Sequence, residues 1–95
     1  MEKLFNEMEE LLIGDEGIVM LIRYGDGLDA KKASFFLELL DIYIDNCKLS
    51  NEIPKIFFLL MLDCITSINS CIEINEDRDE ISIFSDDLTD KLRNI

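Results

Sequence analysis

Histidine is absent from this 95-residue chain. Its absence removes the usual neutral-pH general acid or base and leaves no Ser-His or Cys-His nucleophile pair. Any zinc site would need an uncommon mixture of thiolates and carboxylates. Positive charge is scarce as well. Nine Lys and Arg stand against 21 Asp and Glu, giving a net charge of −12 and a pI near 4.1. The imbalance is even along the chain, with 11 acids and 5 bases in residues 1–48 and 10 and 4 in residues 49–95. A surface of that sign repels nucleic-acid phosphate and anionic lipid, so direct binding to either is not expected.

Long apolar runs are missing too. The longest, residues 56–62, falls far short of the ~20 residues that span a bilayer. The first ten residues are acidic and amphipathic, with no basic segment ahead of an apolar one, so no signal peptide is expected. These features predict a soluble, cytoplasmic protein. The three cysteines (Cys47, Cys64 and Cys71) are an odd number and lie among apolar residues. Cys64 and Cys71 are seven apart, about 10 Å along a helix, beyond the roughly 7 Å between Cα atoms that a disulfide tolerates. Buried, reduced thiols are expected, with no cofactor.

What remains is an apolar chain with helical spacing. A hydrophobic content of 48% suits one globular domain. Leu4, Phe5, Met8, Leu11 and Leu12 recur on one helical face. Gly14 ends that helix, and Asp15 is placed to cap a short second one over Ile18, Val19, Leu21 and Ile22. The glycines of residues 24–27 mark a turn. A third helix runs from Asp29, its cap, to about Cys47. Phe36, Leu40, Tyr43 and Cys47 form one inward ridge and Phe35, Leu39 and Ile42 a second beside it. Ser50 or Asn51 caps a fourth helix reaching to about Glu73, with Pro54 in its first turn. Residues 56–62 are apolar all round, the mark of a helix enclosed by others. Residues 80–85 alternate, suggesting an extended stretch that tucks Ile81 and Ile83 inward. Ser85 then opens a short last helix over Leu88, Leu92 and Ile95, with Asp86 and Asp87 in its first turn. The prediction is all-α: a small bundle of four to five helices, the fourth central, with an irregular acidic segment before the last.

No motif carries chemistry. Asn75, Asp77 and Asp79 repeat the first ligand spacings of an EF-hand loop. Glu80 then stands where glycine is required and Asp86 where glutamate is, so no metal site is expected. Residues 24–27 lack the strand and lysine of a phosphate loop. Paired carboxylates arise by chance among 21 acids, and no catalytic residue or enzyme activity is expected.

The acids themselves are the informative feature. Glu73, Glu76, Asp77, Asp79, Glu80, Asp86, Asp87 and Asp90 face one cation, Arg78, in a single stretch. Glu38, Asp41 and Asp45 form a second stripe on the third helix. An excess of twelve negative charges exceeds what solubility asks of a small domain. Both sets are therefore candidate partner-binding residues, with Phe84 as an apolar anchor in the first. The expected partner is a basic protein of the kind that acts on nucleic acid, whose own site is lined with Lys and Arg.

With Asp15-Glu16-Gly17-Ile18, Gly25-Asp26-Gly27, the Ile53-Pro54 helix start and no histidine, this acidic α-domain resembles bacterial immunity proteins of polymorphic-toxin and contact-dependent growth inhibition systems. The resemblance implies a stoichiometric inhibitor of a toxin domain, and the charge argument above points to a nuclease. Two other readings stay open at this point: a DNA-mimicking inhibitor of the anti-restriction type, and a structural or regulatory homodimer built on the apolar fourth helix. Monomer and dimer are equally compatible with the sequence.

Overall fold

Five α-helices and one 3-10 turn build the protein, seen in a computed structural model that describes residues 2–95. No strand occurs among the described residues. The helices are α1 (Glu2–Ile13), α2 (Ile18–Arg23), α3 (Ala30–Ser50), α4 (Lys55–Cys71) and α5 (Arg78–Arg93), with the 3-10 turn Ile72–Ile74 between the last two.

Helix α1 follows its apolar row, with Met8 and Leu12 fully buried and Leu4, Phe5 and Leu11 leaning on the core. Gly14 closes it, its N–H bonding Glu10 O at 3.0 Å. The cap of α2 is Gly17, where Asp15 was expected. A side chain there would collide, since a Cβ on Gly17 falls 2.6 Å from Leu12 O, and the chain turns tightly enough to leave Asp15 exposed.

Helix α3 starts where the sequence indicates, with the Asp29 carboxylate accepting from Lys32 N–H at 3.1 Å. It runs one turn past Cys47. Asn51 ends it in the left-handed conformation (φ 57°), its N–H returning to the carbonyls of Cys47 and Lys48. Asn51 thus closes α3 and does not open α4, which begins only after Pro54. The inward row of α3 is Ala33, Phe36, Leu39, Leu40, Tyr43, Ile44 and Cys47. Phe35 and Ile42, expected in a second inward ridge, are exposed. One side of the helix meets α1, α5 and, through Tyr43, α4, while the side carrying Phe35 and Ile42 is exposed.

The same holds for α4. Phe57, Met61, Cys64 and Ile68 enter the core, where Tyr43 stacks on Phe57 with ring centroids 4.5 Å apart. Its main neighbours are α2 and α5, with smaller contacts to α1 and, through Tyr43, to α3. Ile56, Leu59 and Leu62 remain 62, 50 and 54% exposed, so α4 is apolar all round without being enclosed. The span Lys55–Ile74 is long and apolar enough to cross a membrane by length and composition, and 22% of it is buried. Here its inward row is committed to the core.

The largest departure concerns residues 78–93. The irregular segment and short final helix are one continuous α5. Ile81, Phe84, Ser85, Leu88 and Leu92 define its inward face at helical spacing, and Ile83 points away from it. The apparent alternation of Ile81 and Ile83 came from reading a period of 2 into a helix with only one of the two inside. Ser85 is buried in mid-helix, its hydroxyl donating to Asn69 Oδ1 at 2.8 Å, and Asp86 and Asp87 stand well past the first turn.

Candidate functional site: an acidic helical face

Folding 78–93 as one helix changes what its acids can do. Counting round the wheel from Ile83, Asp79, Glu80, Asp86, Asp87 and Asp90 all fall within about 60° of it. All five are exposed, and Ile83 itself is 61% exposed. From Asp79 to Asp90 the face runs about 16 Å along the axis. No cation of α5 lies within that arc. Arg78 precedes it and pairs with Glu73 at 3.2 Å, and Lys91 and Arg93 occupy the last turn. The acids of the first turn and the bases of the last also suit the helix dipole.

The α3 acids make a different surface. Glu38, Asp41 and Asp45 are all exposed, but Asp41 is bridged by Lys91 of α5. Asp45 shares a shallow groove of about 360 Å³ with Lys48, Lys91 and Asn94. Local charge there is largely balanced. Beside the acids run Phe35, Ile42 and Leu49 at i, i+7 and i+14, all exposed. Phe35 and Ile42 of that row were expected in the core and Leu49 beyond the helix end, although all three share the side of the acids.

Two of the sequence-derived candidates change role. Phe84 is 2% exposed and belongs to the core, so it is no surface anchor. Ile83, its neighbour, holds the position at the centre of the acidic face. Asp77 turns inward: its Oδ2 accepts the Leu28 N–H at 2.8 Å, while its Oδ1 is enclosed without a hydrogen-bond partner. Glu73 remains exposed and paired to Arg78, and Glu76 is exposed beside the clamp.

That clamp fixes the start of α5. Gly25 and Gly27 take positive φ values (79° and 86°), which lets the 24–28 turn curl against residues 74–77. The buried side chain of Asn75 accepts the Gly27 N–H at 2.8 Å and donates to the carbonyls of Ile22 and Cys71. A Cβ on Gly27 would lie 3.0 Å from Asp77 Oδ1. Of the residues that mimic EF-hand spacing, Asn75 and Asp77 therefore tie two turns together while Asp79 lies exposed on α5, and the three do not converge on a centre. Among the described residues no group of three or more Cys, Asp or Glu is arranged to hold a metal ion.

The thiols are free, with Cys47 and Cys64 buried and Cys71 half-buried. Burial, reinforced by the neighbouring Asp63 carboxylate, pushes the Cys64 thiol up to about 11, and burial also raises Cys47. Both stay protonated near neutral pH and are poor nucleophiles. When the chain is compared with protein-family models, with curated proteins and with solved structures, nothing matches it.

Proposed function

We propose that this protein is a stoichiometric inhibitor of the immunity-protein type, which captures a basic toxin domain, a nuclease by preference, through the outward face of α5. One observation carries the reading: five exposed carboxylates surround a single exposed isoleucine, Ile83, on a face without a cation. An apolar centre with a charged rim is the anatomy of a protein-binding patch. Carboxylates spaced over about 16 Å suit a partner whose own site collects phosphates with Lys and Arg. Steering by the −12 net charge would speed capture. Such an inhibitor acts in the cytoplasm of the cell that makes the toxin, has no catalytic step and needs no cofactor.

The test is co-purification of the tagged chain from its native host, with bound proteins identified by mass spectrometry. Wild type and a Glu38→Lys/Asp45→Lys variant should retain one basic protein at 1:1 stoichiometry. An Asp79→Lys/Asp86→Lys/Asp90→Lys variant should lose it, with association rate falling most. Equal retention by all three chains would remove the α5 face from the reading.

A further inference from the structure

Helix α4 carries the least charge of the long helices, and the pattern on its outward face is self-complementary. Its only charged residues are Lys55 and Asp63, at opposite ends of the apolar row Ile56, Leu59 and Leu62. Leu59 is the midpoint of both pairs: Lys55 and Asp63 lie four residues either side of it, Ile56 and Leu62 three. On the helical wheel Lys55, Leu59 and Asp63 share one ridge, flanked by Ile56 on one side and Leu62 on the other. The ridge lies opposite the buried row Phe57, Met61, Cys64 and Ile68.

We infer that this face is the interface of a two-fold homodimer in which two α4 helices pack antiparallel about Leu59. A two-fold contact is isologous: whatever residue i meets, its counterpart meets in return. Crossing at Leu59, each Ile56 comes level with the partner's Leu62, and each Lys55 with the partner's Asp63. One register thus matches three apolar layers and two ion pairs at once. Pairing the helices in parallel would set Lys55 against Lys55 and Asp63 against Asp63.

The occupant is a second copy for a further reason. The acidic excess repels most partners that are not basic, yet a basic partner gains nothing from a face whose charges sum to zero. Two copies, each at −12, can approach only where the local surface is neutral, and the α4 face meets that condition. Beside the ridge, a groove of about 270 Å³ adds apolar area from Ile13, Val19, Met20 and Leu60, with Arg23 of α2 and Asp63 both at its margin. A standard interface takes ~800 Å² from each partner, about one seventh of the 5939 Å² surface of the chain. One helix ridge with its groove offers less than that, so a weak dimer is expected.

Sedimentation equilibrium from roughly 5 to 500 μM, spanning micromolar dissociation constants, tests this at physiological salt. The mass should rise from 11.0 kDa toward twice that value. Leu59→Glu sets two carboxylates on the two-fold axis and should weaken association by on the order of 100-fold. Leu59 is half exposed, so circular dichroism of the variant should match wild type. Lys55→Asp and Asp63→Lys should each weaken the dimer about tenfold, and the double exchange should restore it, because only the antiparallel self-pairing reunites opposite charges. A monomer throughout the range would overturn the inference, as would a dimer indifferent to Leu59→Glu or a double exchange that restores nothing. Binding of wild type, but not Leu59→Glu, to neutral phosphatidylcholine vesicles by a chain that stays monomeric would assign the face to lipid and equally overturn it. The α5 triple-lysine variant should dimerise as wild type does, so this result and the partner-capture result stand apart.

Discussion

Asn75 is the polar residue on which most of the architecture converges. It is 3% exposed and bonds three backbone groups from three different segments. Asn75→Ala should strand those groups in a buried site and lower stability by about 2–3 kcal/mol, read as a drop in the thermal midpoint. Asn75→Asp should be no better, since a carboxylate cannot donate to the Ile22 and Cys71 carbonyls. Phe84→Ala should remove about 3–5 kcal/mol of core packing, enough to threaten a domain of ordinary stability. Any loss of partner capture should then scale with the fraction unfolded. At Cys64 the thiol is pushed up to about 11 from 9.0. Folding is therefore favoured while the thiol stays protonated in both states, below about pH 9. That contribution is lost as pH rises toward 11. Urea melts at pH 8 and pH 10.5 should show wild type losing more of its stability than Cys64→Ala does, and equal losses would show that Cys64 ionises freely in the folded protein.

At the scale of the element, α5 combines two faces with opposed requirements. The inward row anchors it to α4 and α3. The outward one crowds like charges, with Asp86 and Asp90 at i, i+4, an arrangement that destabilises a helix by a few tenths of a kcal/mol. Asp86→Lys should relieve that repulsion and form an i, i+4 pair with Asp90. We expect the thermal midpoint to rise slightly while partner capture weakens. If both measures fall together, Asp86 has a structural role that its exposure does not show. Helix α3 offers the contrast. Lys91 neutralises Asp41, and Lys48 lies in the same groove as Asp45, so charge reversal there should be nearly silent in capture assays.

Over the whole molecule, repulsion among the acids opposes the compact state. All of them are exposed except Glu9, Asp29 and Asp77, which are half-buried, and among the described residues only Asp41 and Glu73 have ion-pair partners. Salt shortens the reach of that repulsion, to about 8 Å at physiological ionic strength. The thermal midpoint of the isolated chain should therefore rise between 10 and 150 mM NaCl (about 30 and 8 Å of screening length), while the association rate with a basic partner falls over the same range. A midpoint independent of salt would mean the charges are too dispersed to matter, and the steering argument would weaken with it.

Local pattern was enough for the helical class, the apolar row of α1, the Phe36–Leu40–Tyr43–Cys47 ridge of α3, the Asp29 cap, the closing Gly14 and the acidic imbalance. Each of these depends on local spacing or on composition. Tertiary structure decided which apolar residues had neighbours. Phe35, Ile42, Ile56, Leu59 and Leu62 have the same chemistry as the core residues beside them. They stay outside because α3 and α4 each turn a single side to the shared core, α3 mainly against α1 and α4 mainly against α2 and α5, leaving the far side of each helix exposed. The candidate site followed the same rule. Its acids were plain in the sequence as a charge run. Their gathering round Ile83 required a continuous α5, whose first turn follows directly on the long-range bonds of Asn75 and Asp77 to the 24–28 turn, 48 and 49 residues away along the chain. The helical spacing of Ile81, Phe84, Leu88 and Leu92 was present along the chain, but the contacts that fix where the helix starts leave no local pattern. Physically, a helical period can be recognised from side-chain spacing alone, but burial is a property of two surfaces, and the second surface is supplied only by the fold.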